Sequence, residues 1–395
     1  MRGTAPMSRA SAKPMRIVLD GLPITGMSLA VVVEHLLEGW EQLDTGDEVH
    51  LVIGPRSPIR VPDFVHVHRV DFGKRHFVSR IRAQSVEVPR ICRQVGADVM
   101  LGVLPTTTVT RLPCPRALIA YDIRHELRPD QFSTRARLMR TLSYSIGFRQ
   151  ADGIICISER TRRDLLRSRS WLSGRTVEVA LLGADHTDSW PGSAAGVAGA
   201  PAGYAIAFGQ YGNKNVDLVI EAWSLLHGRG EAMPLVVVGL GGAARAAAQA
   251  RAAALGLDGI VEALPWLSDE QFRARFAGSS LVVFPSDFEG FGLPAIEAMR
   301  LGIPVVITPE QALLEVSSGH AVVMDGWGPV ELADAVMLAR ESPPAWIAAA
   351  TAHAADFTWL RTAQCARTAL ATVAFGAAAV ASDPDSGSDT EVEAR

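Results

Sequence analysis

The sequence predicts an α/β protein of two Rossmann-like, doubly wound domains facing a central cleft, and three observations carry that expectation. Both halves alternate short β-branched and apolar runs with longer stretches whose apolar residues recur at helical spacing, the pattern of parallel strands covered by helices. Between them, over residues 187–203, the chain turns to Ser, Gly, Ala and Pro without periodicity, which reads as a linker. With 395 residues, 48% of them hydrophobic and 20% charged, the chain is long enough for two domains with separate cores.

In the first half, strands are expected at 15–19, 50–53, 99–103, 117–120 and 153–157. Residues 28–42 carry Leu29, Val32, Val33, Leu36 and Leu37 on one face and read as a helix. The second half restarts with strands at 204–208, 235–238, 260–263, 281–284 and 304–307, alternating with helices from Asn215, Gly242, Ser268 and Gly292. Residues 1–14 read as a disordered extension. They hold basic residues without an apolar core, so no secretory signal is expected there. The polar, acidic tail 377–395 also reads as disordered, its Asp383-Pro384-Asp385 included.

Several function classes lose support from composition. No run of eighteen apolar residues exists to span a membrane. Cys92, Cys114, Cys156 and Cys365 are too far apart for a Cys-x2-Cys metal site and read as free thiols of a reducing compartment. The net charge of −4 and the absence of a groove-reading or base-stacking motif argue against nucleic acid. That charge is unevenly divided: residues 1–200 hold 27 Lys plus Arg against 20 Asp plus Glu, leaving 11 against 22 beyond. Basic clusters at 135–140 and 160–163 read as solvated helix faces, or as a surface for an anionic acceptor or phospholipid.

The most informative stretch runs from Phe284 to Glu297, FPSDFEGFGLPAIE. An apolar strand enters a turn in which Gly290 and Gly292 leave backbone N–H groups uncovered, and Pro294 suits the first turn of the helix that follows. An anion there would meet unpaired N–H groups and the positive end of the helix dipole. Glu289 before the turn and Glu297 within the helix are then placed to accept hydrogen bonds from sugar hydroxyls on either side.

This string resembles the Glu-x7-Glu signature of the retaining family-4 glycosyltransferases of the GT-B fold, and the match has no gap. The resemblance covers most of residues 15–375 and is strongest in the second half. It implies an acceptor-binding domain at 15–186, a nucleotide-sugar-binding domain at 204–357 and a helix at 358–376 that crosses back to the first domain. It further implies that Glu289 orients the donor sugar and Glu297 the ribose, while Gly290, Phe291, Gly292 and Leu293 form the diphosphate turn. Gly209, Gln210 and Lys214 resemble the segment after the domain's first strand, with Lys214 the cation on the leaving diphosphate. Gln210 stands where the family often has arginine. Pro265, Trp266 and Leu267 resemble the segment whose backbone holds the base.

On the first-domain side, Gly26, Met27 and Ser28 resemble the family's glycine-rich loop beside phosphate and acceptor, with Ser28 where a second glycine is common. Tyr121 and Asp122 resemble its His-Asp segment, with Tyr121 in the histidine's place; His125, four residues on, reads as a solvated or structural residue, or as a substitute in the acceptor loop if that loop turns it inward. Ser158-Glu159-Arg160-Thr161 resembles its Ser-Glu-x-Thr helix start, a capping arrangement.

The implied activity is retaining transfer of a hexosyl or pentosyl group from a UDP- or GDP-sugar to a hydroxyl or amine of a glycan, a small molecule such as a secondary metabolite, or a lipid-linked acceptor. Apart from that co-substrate no cofactor and no metal is expected. The alternatives are a non-catalytic nucleotide-sugar- or glycan-binding paralogue, suggested by Gln210 and Tyr121, and a sugar phosphorylase or hydrolase using the two carboxylates. A bacterial, cytoplasmic protein with at most peripheral contact at the inner membrane face is expected.

Overall fold

The computed structural model describes residues 13–73, 76–106, 108–191, 203–210 and 212–376. The extension up to residue 12, residues 192–202 of the expected linker and the tail from 377, with Asp383 and Asp385, lie outside the described residues.

Two fully parallel sheets form, as the alternation of runs requires. The first holds β1 (Arg16–Asp20), β2 (Glu48–Ile53), β3 (His66–Arg69), β4 (Val99–Gly102), β5 (Arg116–Ala120), β6 (Gly153–Cys156) and β7 (Thr176–Val179), in the order β3-β2-β1-β4-β5-β6-β7. The second holds β8 (Ala205–Phe208), β9 (Leu235–Val238), β10 (Val261–Ala263), β11 (Leu281–Phe284), β12 (Val305–Ile307) and β13 (Val322–Val323), in the order β10-β9-β8-β11-β12-β13. Strand order reverses beside β1 and β8, and the crevice outside the carboxyl ends of such strands is where ligands bind in doubly wound sheets.

In the first lobe the helices are α1 (Met27–Glu41), α2 (His76–Val95), α3 (Arg124–Leu127), α4 (Thr134–Gln150) and α5 (Glu159–Ser168). The second lobe has α6 (Val216–Gly228), α7 (Gly242–Ala254), α8 (Asp269–Ala277), α9 (Leu293–Arg300), α10 (Gln311–Ser317), α11 (Pro329–Arg340) and α12 (Pro344–Ala354). The last helix, α13 (Trp359–Phe375), returns to pack against α1 and the β6-β7 side of the first sheet. That packing is close: a Cβ on Gly39 of α1 would stand 2.2 Å from the Trp359 carbonyl oxygen.

Three strands escape the sequence pattern. β3 is an edge strand of sequence His-Val-His-Arg with three exposed positions, β7 is the opposite edge, and β13 is two residues long. Edge strands are half solvated and lack the apolar run of central ones. The linker expected from 187 is also corrected at its start. Asp185–Ser189 is a 3-10 helix, and Thr187 and Trp190 are buried, the indole meeting Phe276 of α8 edge-on at 5.4 Å. Trp190 thereby joins one continuous apolar cluster that draws on both sheets.

Candidate active site

β11 delivers the chain to the elbow. Phe284 is fully buried, Gly292 takes φ +101° as the residue before α9, and Leu293 and Pro294 open the helix. The left-handed conformation is one that only glycine adopts without strain. Among the described residues, no acceptor is bonded to the N–H groups of Phe291, Gly292 or Leu293. Those three donors, at the positive end of α9, therefore have no partner among the described residues.

Glu289 is held by one of its two oxygens. Oε1 accepts from Lys214 Nζ at 2.5 Å, Ser286 Oγ at 2.5 Å and Asn213 Nδ2 at 3.2 Å. Lys214, delivered by the 3-10 turn Gly212–Lys214, is buried and lies 4.2 Å over the Phe284 ring. The structure thus brings Lys214 to Glu289. Asn213 also binds Ser286 and the Phe288 carbonyl, which ties this turn to the strand end.

Glu297, the fifth residue of α9, is buried and accepts from His186 Nε2 at 3.0 Å. Trp359 Nε1 donates to His186 Nδ1 at 3.0 Å, so the His186 proton resides on Nε2 and points at the carboxylate. His186 stacks on His35 of α1, with centroids 4.5 Å apart. Sequence reasoning passed over His186, the last residue assigned to the first domain, because no local motif marks it.

The two lobes meet at this elbow. A Cβ on Gly290 would fall 2.1 Å from the Tyr121 carbonyl oxygen, so the absence of a side chain there admits the end of β5. Tyr121 is therefore beside the elbow. Its hydroxyl is buried without a hydrogen-bond partner, and burial, with the neighbouring Tyr144, pushes the phenol far above its ordinary range. Asp122 accepts from the Arg124 N–H at 2.8 Å. His125 is not at an open acceptor loop: it is fully buried on α3 against Tyr144, centroids 4.8 Å apart, with Nε2 3.4 Å from Glu126. The short helix turns its imidazole into the first-lobe core.

Gly26 precedes α1 with open space where a Cβ would be, and Met27 and Ser28 are exposed. Gly209 is packed, since its Cβ would stand 2.4 Å from Leu240, and Gln210 lies beside Gly239. Pro265 and Trp266 are exposed and Leu267 half-buried, with the Pro265 carbonyl accepting from the Gly239 N–H. Among the described residues, no group of three or more His, Cys, Asp or Glu is arranged to hold a metal ion, and no helix is long and apolar enough to cross a membrane.

A two-lobed pair of parallel sheets with a carboxylate and a lysine at the elbow of the second lobe defines a class, and comparison with known proteins bears on it. Residues 204–343 match the family described as Glycosyl transferases group 1. Solved structures share the fold: WaaG, a glycosyltransferase involved in lipopolysaccharide biosynthesis, covers 91% of this chain and 99% of its own at TM-score 0.67 and 18% identity. Anabaena HepE, solved with UDP and glucose, covers 91% and 100% at TM-score 0.66 and 17% identity. The architecture is GT-B, and the stretch similar to the group 1 glycosyltransferases lies in its second lobe. More particular likenesses are partial. The O-antigen chain mannosyltransferase B of Escherichia coli is 34% identical over 106 residues, 26% of this chain and 28% of the relative. A D-inositol 3-phosphate glycosyltransferase of an Arthrobacter species is 31% identical over 160 residues, 38% of each chain. These matched stretches thus span well under half of the curated relatives' length.

Proposed function

We propose that the protein is a retaining glycosyltransferase that moves a sugar from a UDP- or GDP-sugar to a hydroxyl or amine acceptor lying against the first lobe. The observation that carries this reading is the elbow: unpaired N–H groups at the start of α9, with the Glu289 carboxylate and its Lys214 partner immediately before it. The N–H groups suit a diphosphate. Glu289 keeps its Oε2 for a donor-sugar hydroxyl, and Glu297, oriented by His186, faces the ribose. In this reading the donor leaves from the face the acceptor enters, and the departing phosphate oxygen takes the acceptor proton. The helix terminus and Lys214 stabilise the charge that grows on the diphosphate, so no metal is needed.

The acceptor is a glycan, a small molecule or a lipid-linked sugar. For the last, α4 offers an outer surface with Arg135, Arg137 and Arg140, no acidic residue, and exposed Leu138 and Leu142, suited to peripheral contact with an anionic inner-membrane face. The test is a panel of UDP- and GDP-sugars, with calorimetry for binding and release of nucleoside diphosphate for turnover. Binding and release with one donor support the reading. Absence of affinity for every donor ends it, and binding without turnover by an authentic acceptor favours a non-catalytic partner.

A further inference from the structure

Resting on the reading of Glu289 as the acid that meets the donor sugar, we propose that Arg160 is a positioning residue: from the first lobe it holds the turn that carries Glu289, so that this acid is set in place only when the lobes are closed together. Arg160 Nη1 donates to the Glu289 carbonyl at 2.7 Å, and the guanidinium lies 4.1 Å over the Phe288 ring. It is ion-paired with Glu310 of the second lobe and with Asp164 of its own helix, and it is buried. One planar group therefore spans three attachments around a single turn, which a lysine's point charge on a flexible stem cannot reproduce.

The neighbouring residues of α5 act on the same turn. Ser158 Oγ donates to the Gly290 carbonyl at 2.5 Å, and the Thr161 hydroxyl is shared between the Tyr121 carbonyl at 2.9 Å and the Gly290 carbonyl at 3.2 Å. In return, Glu315 of α10 accepts the Glu159 and Arg160 N–H groups, each at 2.7 Å. A second-lobe carboxylate thus caps a first-lobe helix, while Glu310 caps α10 and holds Arg160. The backbone carbonyls of Glu289 and Gly290 take their side-chain donors from across the cleft. If the lobes part, those donors leave, and the geometry that seats Glu289 against Lys214 relaxes.

The test pairs hydrogen exchange with steady-state kinetics on the full chain. In Arg160→Lys, amide exchange over 286–292 is expected to accelerate about tenfold or more while exchange in α6 is unchanged. With the accepted donor, kcat is expected to fall about tenfold or more while KM moves by less than about threefold. Arg160→Gln gives a larger effect of the same kind, and the exposed Arg167→Gln none. Unchanged exchange at 286–292, or equal acceleration throughout the second lobe, overturns the proposal, as does an Arg160→Lys enzyme that is less stable but retains kcat. If the wild type turns over no sugar nucleotide, the glycosyltransferase reading fails by itself, and the exchange arm still decides whether Arg160 holds the turn.

Discussion

Glu289 and Lys214 are both nearly withdrawn from water, and each is the other's main charge partner. Removing either leaves a buried charge uncompensated, so the pair behaves as a unit. Glu289→Ala and Lys214→Ala are each expected to lower sugar transfer by about 100-fold or more, read as nucleoside diphosphate release, because each removes charge stabilisation aimed at the reacting groups. Asp20, at the carboxyl end of β1, makes the opposite case. Burial pushes its carboxyl up to about 6, against hydrogen bonds from Gln84 and Leu22 and the charges of Arg80 and Arg116. A carboxyl raised in the folded state is more protonated there than in the unfolded chain, so its contribution to stability is full below pH 4 and is lost as pH rises through 6. Denaturant midpoints at pH 4.5 and 7.5 check this: the decline expected for the wild type across that interval should be smaller in Asp20→Asn. A wild-type decline that Asp20→Asn reproduces in full would assign it to other groups.

At the scale of an element, the elbow between β11 and α9 depends on two glycines for different reasons. Gly290 makes room for the Tyr121 carbonyl, and Gly292 supplies a positive φ. Gly290→Ala should therefore separate the lobes locally, reducing kcat/KM and lowering stability by about 1–3 kcal/mol through overpacking. Gly292→Ala adds backbone strain of about 1–2 kcal/mol and a clash with Leu313, and it should weaken nucleoside diphosphate binding because the strain falls on the N–H groups themselves. Calorimetry with the diphosphate separates the two, since only the second variant acts directly on the anion site.

For the whole molecule, the decisive contact is the return of α13 to the first lobe. Asp47, following α1, accepts two bonds from the Arg367 guanidinium, at 2.7 and 3.0 Å, and bonds from Trp40, Thr45 and the Met15 N–H. Burial pushes its carboxyl up, but the Arg367 hydrogen bond and charge, with the Met15 and Thr45 bonds, outweigh that and hold it below the ordinary range. A lowered carboxyl contributes stability above the unfolded value and loses it as pH falls through the folded one, the reverse of Asp20. Asp47→Ala should cost about 3–5 kcal/mol in denaturant unfolding at pH 7, because Arg367 is left buried without its partner. A loss below about 1 kcal/mol would mark the pair as the equivalent of an exposed bridge.

How much of this was legible follows from the range over which each force acts. The central strands, the start of α9 and the string from Phe284 to Glu297 were readable because burial on both faces, glycine's φ freedom and proline's place at a helix start are written in neighbouring residues. The edge strands β3, β7 and β13 were not, since a half-solvated strand needs no apolar run. Nor could local pattern foretell that Lys214 would sit on Glu289, that His125 would turn inward, or that His186, at the end of the expected first domain, and Arg160, read within a basic cluster, would reach Glu297 and the Glu289 turn across 111 and 129 residues. Those pairings are set by how two lobes and a returning helix pack, and a hydrogen bond between distant residues has no period in the chain.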